Sequence, residues 1–305
     1  MDELVVETRE LTKQYGRAET GRLAVDRVSM TVRRGEVYGF LGPNGAGKTT
    51  TLRMMLGLIR PTAGSASVLG RPAGEPEVTA RVGALIEGPG FYPYLTGRDN
   101  LRVMARYRGI GREVVEAALE RVDLADRGDD RFKSYSLGMK QRLGVASALM
   151  GDPDLIVLDE PTNGLDPAGM ADMRALIVQL AHDGQTVLLS SHLLDEVQEI
   201  CHRVGVINNG LLLRESTVAE LRGATSLLVR ATPLDRALAI SMRLAGDEGV
   251  RVQGDHLLLD VPAERAPEVV RELVAEHIDV HEIATSERSL EEVFFEMTTP
   301  VLEAP

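Results

Sequence analysis

Three groups of residues in this chain have the types and spacing of phosphate chemistry. The first, Gly42-Pro43-Asn44-Gly45-Ala46-Gly47-Lys48-Thr49, reads G-x-x-x-x-G-K-T. Glycines at this spacing let successive backbone N–H groups turn inward around phosphate oxygens, and a following helix adds the positive end of its dipole. Lys48 would reach the β- and γ-phosphates of a nucleotide, and the Thr49 hydroxyl would ligate Mg²⁺. The second group is Asp159-Glu160, at the end of the apolar run Leu155–Leu158. An aspartate there can hold Mg²⁺ through water, and a carboxylate one step further can orient and deprotonate an attacking water. A surface acidic pair at a strand end is the alternative. The Pro161-Thr162 and Asn163-Gly164-Leu165-Asp166 that follow argue against it. The third is His192, at the end of the next apolar run, where open α/β sheets place ligand groups.

These groups need a scaffold, and the pattern of the chain supplies one. Residues 36–41 read as a buried strand and Thr50–Leu56 as a helix, which gives the strand–loop–helix context the glycine motif requires. Leu155–Leu158 and Thr186–Leu189 read as parallel strands buried on both faces. Upstream, residues 3–13 and 23–34 alternate apolar and polar, as half-buried strands do. Tyr15 ends the first of these, as either a purine-stacking ring or a half-buried aromatic. Strands are also expected at Ser65–Leu69 and Val82–Ile86. Residues 87–96 form a loop with two prolines and two glycines, carrying Phe91, Tyr92 and Tyr94 as a local mini-core or a partner contact. Helices follow at 96–108, with Thr96 as N-cap and Asp99 as the capping-box acid, and at 113–123 and 137–150, the last capped by Ser136. Helices at 168–182 and 193–201 come next, then a hairpin around Asn208-Asn209-Gly210 and a short helix at 216–222. The remainder reads β (226–231), α (234–245), β-hairpin (250–261), α (264–276), β (278–284) and a helix at 289–298. That order suggests a small ferredoxin-like α+β domain over residues 223–305. His256, His277 and His281 fall at unrelated spacing and read as surface or structural residues rather than a metal site.

The length of 305 residues suggests about two domains. A net charge of −12 and the lack of a dense basic run exclude a nucleic acid partner. One cysteine, Cys201, rules out an internal disulfide and fits a reducing compartment as an inert thiol. The start, Met1-Asp2-Glu3, has no apolar leader, and no uninterrupted apolar stretch is long enough to span a bilayer.

Taken in order, the motifs over residues 4–222 resemble the ATP-binding subunit of ABC transporters. The resemblance implies a P-loop NTPase with a RecA-like parallel core, an antiparallel β layer and a helical subdomain at about 92–150, using ATP and Mg²⁺. It assigns Walker A to Gly42–Thr49 and Walker B with its catalytic carboxylate to Leu155–Glu160. It makes Asp166 part of the D-loop, His192 the switch histidine and Tyr15 the adenine-stacking tyrosine. Tyr135–Arg142 is similar to the signature motif, so Ser136, Leu137 and Gly138 are expected to complete the ATP site of a second subunit in a head-to-tail dimer. The Q-loop position falls on Glu87, a further expected Mg²⁺ ligand, where the family usually has Gln; Leu137 stands where it usually has glycine. Both variants, and Ser289–Phe294, resemble the bacitracin- and anthracycline-type exporter ATPases. The resemblance therefore implies an ATPase that drives separate integral-membrane permease subunits from the cytoplasmic face of the membrane. A non-transport relative serving DNA repair or translation is the alternative. The short, heptad-free interval between Glu87 and Ser136, and the single cassette, argue against it. A binding module that never hydrolyses ATP is disfavoured by Glu160 and His192 both being present.

Overall fold

The computed structural model describes residues 3–17, 21–222, 226–286 and Phe294, and the chain separates into two compact units, Met1–Thr217 and Val218–Pro305.

The first unit is built on a six-stranded sheet. Its strands are β4 (Val37–Leu41), β7 (Val82–Leu85), β8 (Leu155–Asp159), β9 (Thr186–Ser191), β10 (Arg203–Asn208) and β11 (Leu211–Thr217), in the order β11-β10-β4-β9-β8-β7. All but β11 run parallel. Every residue of β4, β8 and β9 is buried, as expected of parallel strands covered on both faces. The β10–β11 hairpin turns at Asn209 (φ 49°) and Gly210 (φ 81°), the left-handed pair that a tight twisted turn needs.

A second, antiparallel layer comprises β1 (Leu4–Tyr15), β2 (Arg22–Val28), β3 (Thr31–Arg33), β5 (Ala63–Val68) and β6 (Arg71–Pro72). The expected strand at 23–34 is two strands, for a local reason. The Thr8 hydroxyl wedges in at the break, donating to Val28 O at 3.0 Å and accepting from Met30 N at 2.9 Å. The helix α1 (Lys48–Met55) links the layers through a shared core of Val25, Val28, Phe40, Leu52, Met54 and Val157. A short helix, α2 (Pro76–Thr79), leads into β7.

The helices α3 (Gly97–Tyr107), α4 (Glu113–Arg121) and α5 (Leu137–Leu149) lie between β7 and β8. Thr96 caps α3 by accepting from Asp99 N at 3.0 Å. The Asp99 carboxylate takes Arg102 at 3.0 Å, so the capping box contributes its hydroxyl half. Then come α6 (Pro167–His182) and α7 (Leu194–Ile200), the latter packed on Gly39, where an added Cβ would lie 2.8 Å from the Cys201 sulfur. Cys201 is buried, and burial pushes its thiol well up from the ordinary value.

The second unit begins with α8 (Val218–Arg222), ahead of the boundary expected at residue 223. It continues as β12 (Ser226–Thr232), α9 (Leu234–Ala245), β13 (Val250–Gln253), β14 (His256–Leu259), α10 (Ala266–Ala275) and β15 (Asp279–Ser286). The strands pair antiparallel in the order β13-β14-β12-β15, which is the ferredoxin-like arrangement. Leu227, Val229, Leu257, Leu259, Val269 and Leu273 form its core. The expected helix at 289–298 lies outside the described residues apart from Phe294, which is helical.

Candidate functional site

The loop between β4 and α1 wraps a cavity of about 260 Å³ lined by Tyr15, Arg22, Ala24, Glu160 and the segment Pro43–Thr50. Gly47 (φ 111°) sits at the N-cap of α1, where a side chain would be 2.5 Å from Ala24 O. A Cβ on Gly42 would lie 2.2 Å from Ile207 O, so the loop is packed against β10 too closely for any other residue. Tyr15, 43% exposed, stands at the rim with the Lys13 ammonium 5.3 Å from its ring centroid, so the ring keeps surface for another planar group.

Inside this cradle the charged residues meet. The Lys48 ammonium donates to Gly42 O at 2.6 Å and to Pro43 O at 3.3 Å, and lies 2.9 Å from Glu160 Oε1. Glu160 Oε2 is 2.5 Å from His192 Nδ1. An ionised carboxylate only accepts, so Nδ1 carries the proton of that contact. One carboxylate thus joins the phosphate-loop lysine to the histidine. Beside it, the Thr49 hydroxyl donates to Asp159 Oδ2 at 2.9 Å. A hydroxyl and a carboxylate at that spacing are a hard oxygen donor pair of the kind Mg²⁺ takes, so the residues fit the ion.

Ser190 is the residue that sequence reading missed. Its hydroxyl donates to Asp159 Oδ1 at 2.5 Å and accepts from Glu160 N at 3.1 Å. It therefore fixes the aspartate and holds the Glu160 backbone, which adopts φ 50°. The only sequence signal was a polar residue at the end of a buried strand.

Glu87 is placed elsewhere. The backbone turns left-handed at Glu87 and Gly88 (φ 59° and 90°), and the Glu87 carboxylate pairs with Arg53 of α1 at 2.5 Å. It lines neither the P-loop cavity nor any contact with Thr49 or Asp159, so the expected metal-ligand set is not assembled at this residue in the structure.

Ser136, Leu137, Gly138 and Asp166 line a different cavity, of about 560 Å³, which shares no residue with the first. Ser136 caps α5 by accepting from Met139 N at 3.2 Å, and Asp166 caps α6 by accepting from Gly169 N at 3.1 Å. Leu137 is 46% exposed and leans over Gly164, where an added Cβ would meet its side chain at 3.0 Å.

A family model described as "ABC transporter" matches residues 25–163. The bacitracin transport ATP-binding protein BcrA of Bacillus licheniformis is 38% identical over 300 residues, covering 96% of this chain and 97% of that one. The chain belongs to the ABC transporter ATP-binding proteins. It is an ATPase of that family, with the family's P-loop fold. BcrA of Enterococcus faecalis is 45% identical over 223 residues, covering 72% of this chain and 71% of that protein. Among solved structures, cbiO1 of Clostridium perfringens, part of the ABC transporter complex cbiONQ, superposes with a TM-score of 0.65 at 26% identity, covering 72% of this chain and 91% of that one. Among the described residues of this ABC ATPase, no helix is long and apolar enough to cross a membrane.

The aromatic loop of this ATP-binding protein divides into two parts. Phe91 turns inward onto Phe132, edge to face, with centroids 5.4 Å apart. Tyr92 and Tyr94, 5.8 Å apart, are 45% and 66% exposed. Buried Asn100 braces the loop, accepting from Tyr92 N at 2.8 Å and donating to Tyr92 O at 3.1 Å.

Proposed function

We propose that this ABC ATPase binds MgATP at the P-loop cavity and hydrolyses it with Glu160 as general base, to energise export of an amphipathic compound, a drug or antibiotic among them, through separate membrane subunits. The observation that carries the catalytic reading is the Glu160 carboxylate, held between Lys48 at 2.9 Å and His192 at 2.5 Å on the wall of that cavity. In this reading Lys48 turns its ammonium to the β- and γ-phosphates, and His192 keeps Glu160 aimed at an attacking water and senses the γ-phosphate. Tyr15 stacks on the base. Thr49 and Asp159 hold Mg²⁺, which neutralises charge on the phosphates when bound. Glu87 joins them only if its pair with Arg53 opens. Positioning and fixed electrostatics supply most of the rate.

Two cavities with no residue in common support a half-site arrangement. Ser136, Leu137, Gly138 and Asp166 serve the nucleotide of a second ATPase subunit, a copy of this chain or a close relative, in a head-to-tail dimer. Tyr92 and Tyr94 face the permease, and Phe91 belongs to the helical subdomain's own core. The assembly works at the cytoplasmic face of the membrane, and residues 223–305 form an accessory domain. The export direction rests on the resemblance of the motifs to exporter ATPases, and the likeness to the two bacitracin transport proteins is consistent with it.

The test is Glu160→Gln. The variant is expected to bind ATP with near-parental affinity, to lose turnover by about 10²–10⁴-fold, and to accumulate as an ATP-bound dimer on size exclusion. Near-normal turnover would require a different base.

A further inference from the structure

We propose that Glu196 is a positioning residue for the His192–Glu160 pair, acting through Ser191. The inference rests on the roles given to those two residues above. The last two residues of β9 and the one after it each meet one carboxylate: Ser190 meets Asp159, Ser191 meets Glu196, and His192 meets Glu160. Asp159 and Glu160 belong to the site. Glu196, on α7, lines neither cavity and is 1% exposed.

Its contacts define a bracket around His192. The Ser191 hydroxyl donates to Glu196 Oε2 at 2.5 Å and itself accepts from Leu193 N at 3.0 Å. Ser191 is therefore tied directly to the buried carboxylate, and Leu193, on the other side of His192, is tied to it through the Ser191 hydroxyl. Through Ser191, Glu196 thus holds the segment that carries His192, whose ring meets Glu160 at 2.5 Å. A carboxylate this deep is expensive to bury, and hydroxyls offset less of that cost than a paired cation does. The arrangement gives up stability and gains a fixed distance between His192 and Glu160.

The experiment uses the full chain and compares Glu196→Ala, Glu196→Gln, Ser191→Ala and the pair Glu196→Ala/Ser191→Ala, with Glu160→Gln and His192→Ala as benchmarks. MgATP turnover gives kcat and KM, and titration with a fluorescent ATP analogue gives affinity. Glu196→Ala and Ser191→Ala are each expected to lower kcat by about 10–100-fold with KM within about threefold, because a small misplacement of a catalytic pair is costly. Gln keeps the acceptor oxygen for Ser191, so Glu196→Gln should recover most of kcat. The double variant should be no worse than the poorer single, since both break one chain of contacts. A Glu196→Ala enzyme within about twofold of parental kcat overturns the proposal. So does a loss in both Glu196 variants that falls equally on kcat and nucleotide affinity. If Glu196→Ala fails to fold, Ser191→Ala and Glu196→Gln carry the same test. Persistent turnover in Glu160→Gln would instead sink the underlying assignment of the base.

Discussion

At the N-terminal end of the parallel sheet, Arg203 of β10 is enclosed by acceptors. Its guanidinium reaches Glu36 at 3.0 Å, Glu215 at 3.0 Å and Thr31 O at 3.1 Å, and it lies 5.6 Å from the centre of the buried Tyr38 ring. At the C-terminal end of the same sheet, Lys48, Glu160, His192 and Asp159 form a cluster of similar size beside a cavity. Both ends bury charge. Arg203 is matched on all sides within the protein, across four strands or their flanks. Lys48 is held by two loop carbonyls and one partly accessible carboxylate, which a phosphate can replace. A cluster closed on itself holds strands together, whereas one that faces a cavity has charge available for a ligand.

Substitutions that should have opposite effects at the two ends test this contrast. Lys48→Ala is expected to lower MgATP turnover by at least about 10²–10³-fold while leaving thermal stability close to parental, because Glu160 can take water in place of the ammonium. Turnover and differential scanning fluorimetry on one preparation would check both halves. Arg203→Leu should do the reverse: it strands Glu36 and Glu215, costing about 3–5 kcal/mol of stability in denaturant titrations, with kcat per folded molecule unchanged. Comparable stability losses in the two variants would break the contrast. A smaller effect is expected at the aromatic loop. Tyr92→Ala with Tyr94→Ala should uncouple substrate transport in reconstituted vesicles and spare nucleotide binding, whereas Phe91→Ala should lower stability by about 3 kcal/mol through its lost packing on Phe132.

The smallest effect concerns pH. Burial raises the Glu196 carboxyl above its ordinary value, despite help from the Ser191 and Thr162 hydroxyls. Glu160 faces it as a like charge and Arg174 as an opposite one. A carboxyl with a raised folded value binds more protons folded than unfolded, so its contribution to stability falls as pH rises through that window. The melting temperature of Glu196→Gln should therefore gain on the parent as pH is raised from acid to neutral, by about 2–4 °C for each kcal/mol relieved. A constant difference across that range would remove the assigned cause.

Much of the fold was legible because its signals are local. Continuous apolar runs marked β4, β8 and β9, Asn209-Gly210 marked the hairpin, and Thr96 and Ser136 marked helix starts. The split between β2 and β3 was not legible, because it is made by Thr8, twenty residues from Val28. Within the site, the types and spacing of Lys48, Thr49, Asp159 and Glu160 named the chemistry. Ser190 escaped, since a serine ending a strand says nothing until a neighbouring strand sets Asp159 beside it, 2.5 Å away. Glu87 shows the converse: its place in the motif order predicted a metal ligand, and the turn at Glu87-Gly88 delivers it to Arg53.

By itself, the sequence determined the class of reaction, because phosphate binding and water activation depend on residue types at fixed short spacings along one chain. Only the tertiary structure decided which distant groups share a proton or a charge. That Glu160 bridges Lys48 and His192, and that Ser191 beside His192 meets Glu196, follow from parallel strands ending at the same edge. Electrostatic contacts act over a few ångströms of space, and a parallel sheet brings to that distance residues more than a hundred positions apart, such as Lys48 and Glu160.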